Sequence, residues 1–182
     1  MNKQRLIQSA MLCLKRGTLA RGRYLKEKHI FGAVGDQVRY QPRLIPLYPE
    51  LIRLHNNIVI GAGVRFVTHD ATYAILNQLG RGHFPEKVGC IEIMDNVFIG
   101  FNCTILDNVR IGENCIVGAN TLVNKDLEAG GVYAGIPARR IGNFEDFVTK
   151  RSHVDYPTVE KNQRITKKEI QKAWAAFEEQ RK

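Results

Sequence analysis

The sequence predicts an all-β core of very short strands wound into stacked coils, with helices at its two ends. Three observations predict it. Every sixth residue from Ile93 is β-branched and aliphatic: Ile93, Ile99, Ile105, Ile111, Val117, Val123. Three positions after each stands Asn or Asp: Asn96, Asn102, Asn108, Asn114, Asn120, Asp126. Glycine recurs at a third phase, as Gly100, Gly112 and Gly118. A helix repeats every 3.6 residues and a flat strand every 2, so neither explains a period of six. Short strands that each end in a tight turn do. Asn and Asp tolerate the left-handed backbone such turns need, and glycine reaches it without a Cβ penalty. β-branched residues suit the strands. One coil cannot bury its apolar side alone, so each aliphatic residue must rest on its equivalents above and below. Small or medium residues, among them Val97, Cys103, Val109 and Cys115, fill a fourth phase as interior positions.

The remaining elements follow in chain order. Residues 1–28 form a basic helical segment in which Leu6, Ile7, Ala10, Met11 and Leu14 have helical spacing. Two placements fit this amphipathic stretch: packing on the end of the coils, or contact with an anionic membrane. Pro42, Pro46 and Pro49 mark a rigid stretch ahead of the coils that could shape a pocket. The beat begins at Leu54, Ile60 and Phe66, with Asn57 in the asparagine phase. It then breaks, because the step from Phe66 to Ile93 is 27 residues, where 24 or 30 would keep phase. Residues 67–91 therefore leave the coil as an excursion loop, and loops of that length are usually functional. Thr166 and Glu169 read as a capping box ahead of a packing helix bearing Ile170, Trp174 and Phe177. The chain thus divides into 1–28, a coil domain at 29–145, and a C-terminal extension at 146–182.

Charge and cysteine usage exclude several function classes. The net charge is +9, distributed as +7 over residues 1–28, −2 over 29–148 and +4 over 149–182. The excess lies on appendages without motif or aromatic support, so no nucleic-acid partner is expected. No apolar run approaches the ~20 residues of a spanning helix. The stretch 6–14 runs into Lys15-Arg16 without a small-x-small cleavage site and reads as a helix, not an export signal. The four cysteines match no CxxC pattern, and a reduced, cytoplasmic compartment is expected, with possible contact at the inner membrane face.

The hexads Ile99–Thr104, Ile111–Ile116 and Val117–Leu122 resemble those of the hexapeptide-repeat acyltransferases. Ala134-Gly135-Ile136-Pro137-Ala138-Arg139-Arg140-Ile141 is similar to that family's closing segment. The resemblance covers about residues 30–145, and is greatest to the maltose, galactoside, xenobiotic and polysaccharide O-acetyltransferase branch. It implies a left-handed parallel β-helix of triangular section, three hexads to a coil. It implies a homotrimer that shares its active sites, with acetyl-CoA as co-substrate. It also implies a catalytic histidine where the coil gives way to the loop, which here is His69 in Thr68-His69-Asp70.

Imidazole can take a hydroxyl proton and return it near neutral pH, which suits a general base for direct acyl transfer. By the same resemblance, the Phe101 backbone N–H is the candidate oxyanion donor, although relatives often carry a small polar residue there. Ala119, Asn124, Lys125, Arg139 and Arg140 are the candidate coenzyme A contacts, the cations facing phosphates. Asp70, Tyr73, Asn77 and His83 are candidate acceptor contacts on or beside the loop. Asp70 orients His69 only if the backbone turns there. Cys103 and Cys115 read as core residues, and no metal is expected, since only His69 and His83 lie near the region where a zinc-binding branch has three histidines. The reading is an acetyl-CoA-dependent O-acetyltransferase acting on a sugar, lipid-linked sugar or surface-polysaccharide precursor. Its alternatives are an N-acetyltransferase for amino sugars or xenobiotics, and a non-catalytic β-helix scaffold.

Overall fold

The computed structural model describes residues 3–153, 158–159 and 164–181. Two helices open the chain, α1 (Lys3–Leu14) and α2 (Thr18–Glu27). A first coil holds β1 (Ala33–Val34) and β2 (Arg39–Tyr40), and a second holds β3 (Ile52–Leu54), β4 (Val59–Ile60) and β5 (Arg65–Phe66). The excursion contains β6 (His69–Asp70), α3 (Tyr73–Gln78) and β7 (Lys87–Val88). Two further coils follow: β8 (Ile91–Ile93), β9 (Val97–Ile99) and β10 (Thr104–Ile105), then β11 (Val109–Ile111), β12 (Cys115–Val117) and β13 (Leu122–Val123). The chain ends with β14 (Gly131–Ala134), β15 (Arg139–Asn143), α4 (Phe144–Ser152) and α5 (Lys167–Glu179).

The coil strands fall on three faces. The first is β1-β3-β8-β11, the second β2-β4-β9-β12-β14-β15 and the third β5-β10-β13. Pairing between coils is parallel, and only the final β14–β15 pair on these faces is antiparallel. Ile93 lies opposite Ile111, 18 residues on, as three hexads require. The expected stack is present: Ile93, Ile99, Ile105, Ile111, Val117 and Val123 are all fully buried, with Ile93 under Ile111, Ile99 under Val117 and Ile105 under Val123 on the three faces. The all-β core with helices at its two ends is as expected, and α3 inside the excursion is the element not expected. Helices form both ends of the chain and one turn of the excursion.

The repeat deviates at both ends. The first coil is two residues longer than the 18-residue repeat, because Val34 lies opposite Leu54. The last is two residues shorter, because Ile111 bridges Leu127. Asp126 therefore does not take the left-handed conformation expected of its phase, and its carboxylate instead accepts the Arg110 N–H at 2.7 Å. Asn57, Asn96, Asn102, Asn108, Asn114 and Asn120 all take it, at φ of 54–59°. Their amides also form a ladder, Asn57 donating to Asn96 (2.8 Å) and Asn96 to Asn114 (2.9 Å).

Asparagine carries most of the left-handed turns, and Gly63 (φ 74°) and Gly130 (φ 70°) take the same conformation in the second and last coils. The glycine phase serves close approach instead. A Cβ on Gly100 would lie 2.6 Å from the Ala119 nitrogen of the next coil.

The N-terminal segment packs on the coils, but not through the face its sequence suggested. Ser9 and Leu12 are buried, and the Ile45 N–H donates to Ser9 Oγ at 3.1 Å. Leu6, Ile7, Met11 and Leu14 stay exposed, Leu14 by 73%. From α2, buried Arg21 donates through Nε to the carbonyl of Tyr40 on the outermost strand, at 2.8 Å.

The chain forms two compact units, Met1–Glu145 and Asp146–Lys182. In the second unit, Thr166 and Glu169 form the expected capping box of α5. On that helix Trp174 and Phe177 meet edge to face with centroids 5.4 Å apart, and Arg181 lies over the Phe177 ring. Among the described residues no helix is long and apolar enough to cross a membrane.

Candidate functional site

Leu54 lies opposite Ile93, 39 residues on, where an unbroken coil would place 18; the excursion therefore adds 21 residues. It is not an unstructured loop. Its two stems pair antiparallel, His69 opposite Val88 and Asp70 opposite Lys87, and α3 lies between them. The coil resumes at Ile91, which is fully buried, so the excursion ends just before the expected boundary.

His69 stands at the root of the excursion, on β6. Thr68 before it is buried, and its hydroxyl donates to the Leu47 carbonyl at 2.6 Å. That bond ties the proline-bearing stretch of the first coil to the strand that presents His69. Tyr48, next along the same stretch, sets its ring edge-on to the imidazole with centroids 5.9 Å apart. The Tyr48 hydroxyl donates to Glu86 at 2.6 Å, and this bond, with some burial, pushes the phenol pKa up. His69 is half-buried, and its Nδ1 is shut away from solvent with no hydrogen-bond partner among the described residues.

The other loop candidates separate. Asp70 bonds the Thr72 N–H (2.8 Å) and hydroxyl (3.0 Å), and these bonds hold its carboxyl below the usual range. The backbone does turn there, but the turn occupies Asp70 with Thr72, not with the His69 ring. Both amide atoms of Asn77 bond the Phe84 backbone, so that side chain closes the loop on itself. Tyr73 is half-buried and His83 fully exposed.

Phe101 and Ala119 form a second group, stacked on the corner between the second and third faces. The Asn120 N–H donates to the Phe101 carbonyl at 2.8 Å. Beside them Asn102, Thr104, Asn120, Leu122 and Ile136 line a groove of about 320 Å³. This corner precedes β10, whereas His69 follows β5, so one chain places the two groups at opposite edges of the third face. Lys125, Arg139 and Arg140 meet around a separate hollow of about 220 Å³. Arg140 is engaged there by the Gly130 carbonyl (3.1 Å) and Asn143 (2.7 Å). Lys125 and Arg139 make no ion pair among the described residues, and Asp126 and Glu128 line the same hollow. Asn124 is exposed beside Lys125.

Cys103 and Cys115 are buried, donate to the carbonyls of Gly118 (3.0 Å) and Glu128 (3.2 Å), and have thiol pKa values raised by burial. They are core residues, as their phase suggested. Among the described residues no cluster could hold a metal ion.

Sequence reasoning missed Tyr48 and Glu86, and it missed three arginines, Arg5, Arg43 and Arg65. These line a hollow of about 440 Å³ with Pro42, Pro46 and Val67, two residues from His69. No spacing rule links these positions, since only the stacking of coils brings them together.

Residues 91–125 match the family described as "Bacterial transferase hexapeptide (six repeats)". Protein CapG of Staphylococcus aureus is 40% identical over 104 residues, 56% of this chain, and the chain spans 58% of CapG's length. A galactoside acetyltransferase structure in complex with coenzyme A shares the fold at a TM-score of 0.57 and 22% identity, over 90% of this chain and 88% of that one. A maltose O-acetyltransferase from Clostridium difficile 630 does so at 0.54 and 24%, over 78% and 86%. The repeat, the three-faced coil and these matches agree: residues 91–125 carry the hexapeptide repeat of bacterial transferases, and the fold is the left-handed β-helix of the solved structures the chain resembles.

Proposed function

We propose that the protein is an acetyl-CoA-dependent O-acetyltransferase acting on a hydroxyl of a sugar or of a surface-polysaccharide precursor. The observation that carries this reading is the placement of His69. It stands where the coil opens, half-buried, with Nδ1 shut away from solvent and its ring backed by Tyr48. Likeness to a galactoside and a maltose acetyltransferase supports a sugar acceptor and a coenzyme A thioester.

In the proposed reaction His69 Nε2 takes the proton of the acceptor hydroxyl as its oxygen bonds the acetyl carbon. The Phe101 N–H faces the charge that develops on the carbonyl oxygen. The carbon–sulfur bond then breaks, and the proton passes from His69 to the leaving thiolate. No acyl-enzyme forms. Lys125 and Arg139 hold phosphate, with Arg140 behind them and Ala119 and Asn124 along the groove. Because His69 and Phe101 lie at opposite edges of one face, a site using both needs a second copy, and we propose a homotrimer. Light scattering that gives a monomer would refute it.

The exposed apolar stripe of α1 lies in a segment of net charge +7, and this combination suits an anionic lipid surface. The proposal places the enzyme in the cytoplasm, against the inner face of the membrane.

The test incubates protein with acetyl-CoA and a panel of hydroxyl and amino acceptors while following thiol release. Release with sugars supports the reading. Release with amines alone points to an N-acetyltransferase, and release with nothing to a scaffold. His69→Ala should lower turnover by roughly 10²–10⁴-fold; a variant that keeps its rate removes the assigned base.

A further inference from the structure

The hollow next to His69 is cationic without any acid to balance it. Arg5 comes from α1, Arg43 from the stretch after β2, and Arg65 from β5, and no carboxylate stands among its lining residues. Arg5 Nε is closed off from solvent and has no partner among the described residues. Among the described residues Arg43 reaches only the Cys13 carbonyl, at a long 3.4 Å. Arg65 makes no ion pair among the described residues. The field of Arg43 extends to Arg21 behind it, whose pKa is lowered first by burial and then by that charge. Three like charges from three separate elements repel one another, and the fold leaves them uncompensated although residues 29–148 carry twelve acids. Pro42 and Pro46 supply a flat apolar wall beside them.

The hollow also has a fixed relation to the proposed base. Val67 lines it, and His69 lies two residues further along the chain, at most about 7 Å on by the reach of an extended backbone. The bond from Thr68 to Leu47 locks the proline-bearing wall to that strand. A sugar ring spans such a gap, with one substituent at the arginines and a hydroxyl at the imidazole.

We infer that the acceptor is an anionic sugar, one bearing a phosphate or carboxylate, whose charged group is held by Arg5, Arg43 and Arg65. This rests on the reading of His69 as base and of this side as the acceptor side. A guanidinium suits either anion because it donates two parallel hydrogen bonds.

The experiment measures binding to the full chain by calorimetry, with glucose 1-phosphate, glucuronate and glucose as probes, each with and without saturating coenzyme A. Arg43 and Arg65 are exposed, so Arg43→Gln, Arg65→Gln and the double variant should fold. Glucose 1-phosphate or glucuronate should bind at least about tenfold more tightly than glucose, and the double variant should lose that preference. The stronger of the two anions identifies the charged group. Equal affinity for glucose, no saturable binding of either anion, or an unaltered double variant would overturn the inference. Displacement by coenzyme A would overturn it too, by giving the arginines to the acyl donor. His69→Ala should bind the probes as the parent does. If it binds them and also retains turnover, the assignment of the base fails while the anion site stands.

Discussion

Tyr48 and His69 meet as an edge-to-face pair, centroids 5.9 Å apart and planes at 85°, and Tyr48 is itself fixed by its hydroxyl bond to Glu86. Tyr48 also holds a left-handed backbone conformation, φ 48°, which a bulky residue rarely adopts. The imidazole thus rests on a ring that is held at both ends.

Tyr48 is accordingly a positioning residue under the proposed chemistry. Tyr48→Phe keeps the ring and loses the anchor, and should lower kcat by a few-fold. Tyr48→Ala removes the ring and should cost on the order of 10²-fold, the scale of a small misplacement of a catalytic group. KM for acetyl-CoA should stay unchanged. Adding Tyr48→Ala to His69→Ala should cost nothing further, because both act through one imidazole. Steady-state kinetics on the four proteins check this.

Glu92 joins three coils across the first face. It meets His55 Nε2 at 3.1 Å and Arg110 at 2.8 Å, and these partners, His55 first, hold its carboxyl below the usual 4.5. The folded state therefore binds the proton more weakly than the unfolded one. The stabilisation is complete above the unfolded pKa and fades as pH falls through the lower folded value. Denaturant melts between about pH 3 and pH 6 should show a steeper acid loss in the parent than in Glu92→Gln. The pair is partly exposed, so the difference should stay within about 1 kcal/mol.

Two glycines of one phase should respond differently to the same methyl group. On Gly100 it meets the Ala119 backbone nitrogen at 2.6 Å, which cannot yield without opening the coil stack. On Gly118 it meets the Ala134 methyl at 3.2 Å, which needs only a small shift. Gly100→Ala should cost about 3 kcal/mol or more and Gly118→Ala about 1, read from denaturant midpoints.

The exposed stripe of α1 gives a binding prediction. The parent should sediment with vesicles containing phosphatidylserine and far less with neutral ones. Leu6→Glu with Ile7→Glu should abolish pelleting and leave the thermal midpoint nearly unchanged, because both side chains are already in solvent. A parent that stays in the supernatant with anionic vesicles removes the membrane from the proposal.

The core was legible because a residue such as Ile99 meets its equivalents at a fixed sequence distance. Period alone then says which side chains turn inward. The site was only half legible. His69 announced itself by standing where the period fails. Its supports, Leu47 and Tyr48, come from about twenty residues earlier and reach it through a coil two residues longer than the repeat, so the hexad rule does not index them. Arg5, Arg43 and Arg65 share no register for the same reason. Asp126 misled because the last coil is short, and α1 misled because an apolar stripe states amphipathicity without saying which way it faces. The six-residue helix α3 starts without a side-chain cap, so no start signal marked it.

Arg21 bears on how the molecule stays single-ended. A parallel stack has no natural stopping point, and an outermost strand with unpaired amides and carbonyls invites another edge to continue it. Here α2 lies across that strand and a guanidinium occupies the Tyr40 carbonyl, while the far end of the second face finishes on a strand running the opposite way. Trimming the first thirty residues would uncover a template for end-to-end growth, and filaments, not merely a less stable enzyme, would be the outcome to look for.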